Sequence, residues 1–388
     1  MRLAIIGAAL LLLGGIAAAA GIVTPPELAE LADRVVPILV FVAAITVVTE
    51  LASEAGVFLW AGRRLRRWGL GSGLVLWLLL ALLAALSTIF LSLDTTAVLL
   101  TPVVVAVVRQ AGLPPLPFVL TTIWLANTAS LLLPVSNLTN LLAQHSLGGL
   151  SPAGFAALMW APALACVLVP LAFIAIVFRR DLQLRYTRTP APGKATPAPD
   201  RFLLAASGAV LLALLPLLVS GIPVWIPATA AAVVLVLLFA VRRRQVLTIR
   251  LIPWPLLLFA SGLFLAIESF LGLGGSALLG VLAGEGENFA DLLRLAATGA
   301  AGANAVNNLP AYLLAEPLAA TPERMAALLI GVNAGPLITP WASLATLLWH
   351  DRLARMNVRI SWKGYALAGL IAAPLTVTTA VAALAAAS

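Results

Sequence analysis

The sequence contains few charged residues, one cysteine and two histidines, and these shortages exclude several classes of protein. Charged residues make up 10% of the 388 positions, whereas hydrophobic residues make up 62%, a balance that no ordinary soluble domain has. Cys166 alone cannot form a disulfide within the chain, and a site built from several thiolates is excluded. His145 and His350 lie far apart in sequence, and a lone histidine near a helix end is usually structural. We therefore expect neither a metal site nor a cofactor.

The sequence also lacks the motifs of common enzymes. No Gly-rich loop ends in Lys-Ser/Thr, so the chain is not expected to hydrolyse ATP by itself in the P-loop manner. A His-Glu-x-x-His motif is absent, which argues against a zinc-dependent membrane protease, and a Gly-x-Ser-x-Gly elbow is missing. We therefore predict that the protein is not an enzyme.

Long apolar runs are what the sequence has in abundance. The runs extend over about 20 residues, the length that a helix needs to cross a bilayer. The N-terminal run could pass for a signal peptide, because it combines Arg2, an apolar stretch and small residues near its end. More apolar spans follow, and the repeat described next needs this run, so we interpret it as the first retained helix. The pattern predicts an all-α, multi-pass membrane protein.

Two short polar stretches interrupt runs that are long enough to cross a bilayer. One covers residues 125–141 and the other covers 332–347; moving the second back by 206 positions aligns them without a gap. The shift pairs polar residues and prolines: Asn127 with Asn333, Pro134 with Pro340, Asn137 with Ser343, and Asn140 with Thr346. Proline breaks a helix, and broken spans at matching positions of two halves are typical of a transporter binding site. A simple kink in each helix is the alternative.

The repeat divides the chain into two halves of about five elements each. The first inverted repeat is predicted over 1–178, with a re-entrant hairpin over about 72–109 and a broken helix over about 116–147. A cytoplasmic linker follows over 179–201. The second half covers 202–388: a connector helix precedes the second inverted repeat, which has its hairpin over about 292–320 and its broken helix over about 322–349. Near the N-terminus we expect a helix over about 3–23, an acidic loop over 24–34 and a second helix over about 35–61.

The basic residues predict the orientation of the chain. If Arg2 is cytoplasmic, and if residues 92–96 and 304–310 are hairpin tips, then 20 of the 23 Lys and Arg residues fall in cytoplasmic segments. The exceptions are Arg34, Arg294 and Arg324. The net charge of +8 then reflects topology and lipid headgroups, and we expect no nucleic-acid partner. The same threading inverts the two halves, which is the geometric basis of alternating access.

Asp94 lies at the predicted tip of the first hairpin. A charged side chain at the centre of a membrane helix costs about 2.5–3.5 kcal/mol on insertion scales, so this carboxylate should be protonated, paired with a cation or in contact with water. We predict that Asp94 contacts the substrate or ion and couples its movement to a proton. An aspartate ahead of an apolar run is also a good N-cap, so the alternative is a capping role for the arm that begins at Thr95.

The other candidate binding residues are uncharged. In the first half they are Thr95, Thr96, Asn127, Thr128, Ser130, Ser136 and Asn137; in the second half they are Asn307, Asn308, Asn333, Gly335, Thr339 and Ser343, with Asn304 close by. Neutral oxygens suit a small cation such as Na⁺, whereas half-helix N-termini and amides suit an oxyanion or a polyhydroxy solute. Since no Arg or Lys belongs to this set, a neutral or weakly charged substrate, or a bare cation, is favoured.

Three more acidic residues lie within the apolar runs. Glu50 and Glu268 occupy comparable helices of the two halves, and we predict a proton-transfer role for them, with bonding to neighbouring backbone as the alternative. Glu316 precedes Pro317 near the outer mouth of the second hairpin, and we expect it to be solvated.

These motifs resemble those of the arsenite/antimonite permease (ArsB-type) family within the ion transporter superfamily. The similarity is carried by residues 93–102, 126–138, 307–310, 335–349 and 360–362, and it extends over about 40–385. The resemblance implies a carrier of the bacterial inner membrane that exports trivalent arsenic and antimony hydroxides in exchange for protons. It also implies a homodimer and, for some relatives, a cytoplasmic ATPase partner.

The wider superfamily keeps other functions open. It includes sodium-coupled dicarboxylate and sulfate carriers and Na⁺/H⁺ antiporters, whose members bind substrate and Na⁺ at the hairpin tips and broken helices. The chain departs from the permease pattern at one tip, where Leu93 and Thr95 replace the usual Asn and Gly around the aspartate. Cys166 lies away from the motifs, so arsenic would be held through oxygen contacts to its hydroxyls.

Overall fold

The computed structural model describes residues 2–187, 200–273 and 283–387, which fold almost entirely into helices. Residues 188–199 of the predicted linker therefore lie outside the described residues. The helices, numbered in chain order, are α1 (Arg2–Ala19), α2 (Pro25–Glu54), α3 (Val57–Trp68), α4 (Gly73–Leu91), α5 (Leu93–Gln110), α6 (Leu116–Thr128), α7 (Leu138–Ser146), α8 (Pro152–Val177), α9 (Arg201–Leu218), α10 (Trp225–Arg242), α11 (Trp254–Gly272), α12 (Phe289–Ala305), α13 (Asn308–Ala315), α14 (Pro322–Ala334), α15 (Leu344–Arg355) and α16 (Trp362–Ala387).

Helices of membrane-spanning length dominate this architecture. Within the described ranges, eight helices are long and apolar enough to cross a bilayer, namely α2, α4, α5, α8, α9, α10, α11 and α16. Large apolar side chains on their outer surfaces are exposed, as in Ile176, Leu212 and Val241. Such exposure would be unfavourable in water but suits contact with lipid. The protein is a multi-pass membrane protein.

The two halves have the predicted inverted-repeat fold, each with a re-entrant hairpin and a broken helix. The broken helix of the first half consists of α6 and α7, and that of the second consists of α14 and α15. A short 3-10 turn lies between the parts of each, at Pro134–Ser136 and Pro340–Ala342. The sequence repeat of 206 positions is reproduced in the structure. Adding 206 to the bounds of α6 and of the first turn gives those of α14 and of the second turn, and adding it to the first residue of α7 gives that of α15. The hairpins are α4 with α5 and α12 with α13. The repeat boundaries at 1–178 and 202–388 stay a prediction.

The first helix of each inverted repeat packs against the other repeat. A Cβ on Gly7 of α1 would lie 2.5 Å from the backbone nitrogen of Phe259 in α11, and one on Gly262 would lie 2.4 Å from the carbonyl of Gly7. Only glycine permits this close approach of two helices. In the same way α10 lies along α2, and Arg243 after α10 donates to the Glu54 carbonyl at the end of α2 (3.0 Å). This exchange ties the halves together.

Two local predictions are wrong. Residues 24–34 do not form a loop, because α2 begins at Pro25. The Thr24 backbone N–H donates to the Glu27 carboxylate (2.7 Å), and the Thr24 hydroxyl accepts from the Glu27 N–H (3.5 Å), which is a capping box. Pro25 and Pro26 fall in the first turn, where proline is tolerated. The second broken helix also extends beyond its predicted end near residue 349, because Arg352 and Arg355 belong to α15.

Contacts collect the basic segments at one end of the molecule. The Arg109 guanidinium donates to the Met356 carbonyl (2.7 Å), the Tyr186 hydroxyl to the Arg66 carbonyl (2.7 Å), and Arg66 to the Gln110 carbonyl (3.1 Å). We call this end the basic face, and described parts of several segments that the sequence predicts to be cytoplasmic meet there. At the opposite face Arg34 pairs with Glu316, and Arg324 donates to the Gly286 carbonyl (2.8 Å).

Candidate functional site

The tips of both hairpins have an unusual backbone conformation. Ser92 has φ 133° and ψ 161°, and Asn307 has φ 145° and ψ 159°. This region is populated almost only by glycine and costs about 1–3 kcal/mol for other residues. Each side chain then caps the following arm: the Ser92 hydroxyl accepts from the Thr95 N–H (3.2 Å), and the Asn307 amide oxygen accepts from the Leu309 N–H (3.4 Å). The strained tips fix the direction of both arms.

Asp94 is therefore not the cap of its arm, and the capping alternative is wrong. Its side chain is half-buried, and it forms neither an ion pair nor a hydrogen bond with any of the described residues. Asp94 instead lines three adjoining cavities. A carboxylate in this position can accept hydrogen bonds from a solute or bind a proton.

The smallest of these cavities, the central pocket, lies where the hairpin tips meet the helix breaks. It encloses about 50 Å³, and its polar lining comes from four separate segments. The polar lining residues are Asp94, Asn137, Asn307, Asn308 and Ser343. The Ser343 hydroxyl is buried and has no hydrogen-bond partner among the described residues. A space of this size suits a few waters or a small inorganic solute rather than a large organic molecule.

A second small cavity, the side pocket, adjoins the central pocket and encloses about 60 Å³. Asp94 and Asn137 line both, while Phe41, Val42 and Leu141 close the side pocket on its apolar side. No Lys or Arg lines either pocket. A solute bound there would meet one carboxylate and otherwise neutral groups.

The largest cavity that Asp94 lines opens toward the basic face and encloses about 370 Å³. Thr46, Thr49 and Glu50 of α2 and Thr95 of α5 line it together with Asp94. Its mouth carries Asp351, Arg352 and Arg355 from the last turns of α15. This basic-face cavity connects the surface to Asp94. Of its lining residues, Asp94, Glu50 and Thr95 were predicted from the sequence, whereas Thr46, Thr49 and the two arginines were missed.

Asparagines on the two broken helices bond to each other. Asn137 donates to the amide oxygen of Asn333 (2.6 Å), and the Thr139 hydroxyl donates to the same oxygen (3.2 Å). Asn333 in turn donates to the amide oxygen of Asn140 (2.9 Å). At the position related by the repeat, the Asn127 amide lies 3.5 Å from the Thr346 hydroxyl. Since all these side chains are buried, the network fixes the crossing of the broken helices.

Other predicted binding residues brace the first half without lining these cavities. The Thr96 hydroxyl donates to the Ser87 hydroxyl (2.9 Å), and the Ser136 hydroxyl donates to the Ile89 carbonyl (2.7 Å), so both hold the hairpin. The Ser130 hydroxyl donates to the Asn127 carbonyl (2.6 Å). The Thr128 hydroxyl is buried without a partner among the described residues.

The second half is braced in a different way. The Thr339 hydroxyl donates to the Asn304 carbonyl (3.0 Å), and the Asn304 amide donates to the Gly335 carbonyl (2.9 Å). A Cβ on Gly335 would lie 2.4 Å from the Gly331 carbonyl and 2.5 Å from the Ala300 side chain, so this position requires glycine. Asn304 thus joins the second hairpin to the helix break. Its position three residues before the tip residue Asn307 was the feature of the sequence that indicated this role.

The three acidic residues have different surroundings. Glu50 lines the basic-face cavity, whereas Glu268 lines none of the cavities described here and lies near the charges of Arg34 and Glu316. Glu316 is not solvated, so that expectation is wrong: it pairs with Arg34 and accepts hydrogen bonds from the Tyr312 hydroxyl (2.8 Å) and from Ser146.

One signal in the sequence was missed. Pro37, Phe41 and Glu50 of α2 recur as Pro255, Phe259 and Glu268 of α11, each 218 positions later. Phe41 lines the side pocket and Phe259 lines the central pocket, so an aromatic ring from each half adjoins the pockets around Asp94. This second repeat would have predicted both rings.

Metal ligands do not cluster in the part of the chain that the structure describes. No group of three His, Cys, Asp or Glu side chains there could hold a metal ion. Cys166 is buried in α8 and lines none of the cavities described above.

Comparisons with known proteins agree with this architecture. The family described as "Citrate transporter" (CitMHS) matches residues 2–346. The solved structure of the Alcanivorax borkumensis YdaH transporter superimposes with a TM-score of 0.59, covering 99% of this chain and 97% of that one at 15% identity. At this identity the likeness establishes the fold alone.

Curated relatives are more similar in sequence. A protein of Yersinia enterocolitica named "Arsenical pump membrane protein" is 32% identical over 351 residues, covering 84% of this chain and 81% of the relative. The Escherichia coli K12 protein of the same name has the same identity and coverage. A Bacillus subtilis "Putative arsenical pump membrane protein" is 26% identical over 398 residues, covering 92% and 89%. All of these names are those of transporters or pumps rather than enzymes. The chain therefore belongs to the citrate transporter (CitMHS) family and, within it, to the ArsB-type permeases.

Proposed function

We propose that the protein is a secondary active transporter that exports arsenite and antimonite from the bacterial cytoplasm across the inner membrane in exchange for protons. The observation that carries the proposal is the Asp94 carboxylate, which has no partner among the described residues and lines all three adjoining cavities. The names of the relatives, which are bacterial arsenical pump proteins, support the choice of substrate.

The lining of the central pocket suits the trivalent hydroxides of arsenic and antimony. These solutes are neutral near pH 7, so they need no Lys or Arg as counterion, and none lines the pocket. Their hydroxyl groups can donate to the Asp94 carboxylate and accept from the amides of Asn137 and Asn307. Because no thiol lines the pocket, oxygen and nitrogen contacts hold the solute.

Exchange follows if Asp94 binds either a proton or the solute, but not both. The charged carboxylate accepts hydrogen bonds from a solute that enters through the basic-face cavity. Protonation at the other side of the membrane removes the negative charge, which weakens the carboxyl group as an acceptor and releases the solute. Glu50, which lines the same cavity as Asp94, would return the proton to the cytoplasm, and Glu268 would act on the opposite side.

Alternating access supplies the two states that this exchange requires. The inverted halves can adopt two conformations related by exchange of their roles. In the present conformation the cavity of about 370 Å³ opens toward the basic face, which we take to be cytoplasmic because of its arginines. The other conformation would expose Asp94 on the opposite side.

Transport by purified protein in liposomes tests the proposal. With an imposed pH gradient, arsenite should accumulate on the acidic side, and an uncoupler should abolish this accumulation because it removes the gradient. Empty liposomes and liposomes with the Asp94→Asn variant are the controls. Absence of arsenite and antimonite movement under every gradient would remove the proposal.

A second candidate is a sodium-coupled carrier of a small anion such as a carboxylate. Its support is the family description, which names citrate, together with Arg352 and Arg355 at the mouth of the basic-face cavity. Uptake of labelled citrate that depends on Na⁺ would favour it. Cation-induced dequenching of a pH dye without any other solute would instead identify a Na⁺/H⁺ antiporter. The homodimer and the cytoplasmic ATPase partner stay predictions.

A further inference from the structure

A fourth cavity opens at the opposite face and has no role in the function proposed so far. It encloses about 470 Å³ between α2, α7 and the start of α10. We call it the opposite-face vestibule. Its polar lining comes from Asp33, Arg34, Gln144, His145 and Ser151. The vestibule is therefore a polar recess on the side of the membrane where the solute would leave.

Only a thin apolar layer lies between the vestibule and the pockets around Asp94. Leu141 lines both the vestibule and the side pocket. Ile38 lines the vestibule, and Phe41, three residues further along α2, lines the side pocket. All three side chains are buried. We call these three residues the septum, because one layer of side chains closes the path.

Ionic contacts hold the helices together directly beside the septum. Arg34, which lines the vestibule, pairs with Glu316 at the end of the second hairpin. Arg34 also donates to the Ser146 hydroxyl (3.1 Å) at the end of α7, and Ser146 contacts Glu316. The Tyr312 hydroxyl donates to Glu316 as well (2.8 Å). The side chains of Arg34 and Glu316 are 21% and 13% exposed, so the pair is shielded from solvent more than a surface ion pair is.

The Arg34–Glu316 pair connects α2 to the second hairpin and lies beside the end of α7, so it restrains the movement of these elements away from one another. Arg34 belongs to α2, whereas Ser146 and Glu316 end the two elements whose inner ends line the central pocket. Moving α7 and the second hairpin away from α2 would open the septum, and that movement must first break the pair. The basic-face cavity is open to Asp94 in the same conformation, so one side is open while the other is latched.

We propose that the opposite-face vestibule is the outward half of the solute route and that the Arg34–Glu316 pair is the latch that keeps the septum closed. This inference rests on the proposed transport function for its direction, but the latch itself can be tested without any solute. The ligand class for the vestibule is the released solute, a small neutral hydroxide.

Cysteine labelling measures the opening of the septum. The parent is Cys166→Ala, which has no other thiol, and the probe is Val42→Cys in the side pocket. In liposomes with known orientation, a membrane-impermeant maleimide added at the opposite face should label the Cys166→Ala/Val42→Cys protein slowly. Adding Glu316→Gln or Arg34→Gln should raise the labelling rate about ten-fold, since loss of a pair that favours the closed state by about 1.4 kcal/mol raises the ratio of open to closed molecules by that factor.

Two controls separate a latch from general loosening. Arg294→Gln removes an exposed ion pair with Asp291 at the opposite face, away from the vestibule, and it should leave labelling unchanged. The double reversal Arg34→Glu with Glu316→Arg should return labelling toward the rate of the protein with the native pair, and the thermal midpoint of each variant shows whether it is folded. Equal opposite-face labelling with and without the pair would overturn the latch, whatever solute the protein carries.

Discussion

At the scale of single residues, the role proposed for Asp94 depends on the residues that surround it. The strained Ser92 caps the arm, which leaves the neighbouring carboxylate free to face the cavities. A polar group buried without a partner is costly. The carboxylate therefore stays unpaired only because the rest of the hairpin holds the strained tip in place. Two substitutions at this tip separate binding from backbone strain.

Replacing Asp94 by Asn should abolish proton-driven transport while leaving the fold intact. Asparagine has a similar shape but cannot bind and release a proton near neutral pH, and the native carboxylate has no ion pair to lose. Solute flux under a pH gradient in liposomes is the measurement, with the thermal midpoint as the fold check. Asp200→Asn is the matched control, because it makes the same change of carboxylate to amide away from the cavities, at an N-cap position where Asn also caps a helix well. Undiminished proton-driven flux in Asp94→Asn would clear Asp94 of the coupling role.

Ser92→Ala should destabilise the protein more than Ser92→Gly does. Alanine keeps the backbone strain and loses the cap, which costs about 0.5–2 kcal/mol. Glycine loses the same cap but is unstrained at φ 133°, which offsets the loss by about 1–3 kcal/mol. The midpoints of thermal unfolding in detergent measure the difference. An alanine variant as stable as the glycine variant would show that the tip stores no strain.

At the scale of elements, the two broken helices depend on each other. Pro134 and Pro340 interrupt the spans, and the buried asparagines replace the lost helical bonds with contacts between the halves. The halves differ here: Asn333 contacts three side chains, whereas Asn127 contacts its own helix and, at 3.5 Å, Thr346. The hydrogen bonds between the broken helices are therefore more complete around Asn333 than around Asn127.

Asn333→Ala should lower stability more than Asn127→Ala does. The first change leaves the groups of Asn137, Thr139 and Asn140 without this partner, and each unsatisfied buried group costs about 1–3 kcal/mol. The second change removes one bond within α6 and one long contact. Thermal midpoints of the two variants in the same detergent provide the comparison. Equal midpoints would mean that the network does not hold the crossing.

At the scale of the whole molecule, the two faces are unequal. The basic face carries a cavity that reaches Asp94, while the septum separates the opposite-face vestibule from the side pocket. The first helix of each inverted repeat packs on the other repeat, with α1 against α11 and α10 against α2. These contacts tie the two repeats together. In this conformation one face is open to Asp94 and the other is closed.

Leu348→Cys in the Cys166→Ala background should be labelled from the basic face alone. Leu348 lines the basic-face cavity and is 38% exposed. An impermeant thiol reagent should react in inside-out vesicles and not in intact cells, since the arginine-rich face is expected to be cytoplasmic. Labelling of Leu348→Cys in intact cells would reverse the assigned orientation.

The sequence by itself determined the membrane setting, the two hairpins and the two breaks with their shift of 206 positions. It could do so because an apolar run must satisfy its backbone within the bilayer, and proline and asparagine mark the points where it does so differently. It also named the five polar residues of the central pocket among a longer set. The sequence did not separate them from Thr96, Ser136 and Thr339, which have the same chemistry but brace the hairpins.

Only the tertiary structure decided which polar groups face a cavity. That choice depends on the side chain's direction at a strained tip or a helix break, and packing between distant segments sets this direction. The same holds for Glu316, whose partners Arg34 and Ser146 lie far away along the chain, and for the swapped first helices. Local patterns determine where a membrane helix breaks, whereas the contacts between its broken ends exist only once both halves are folded together.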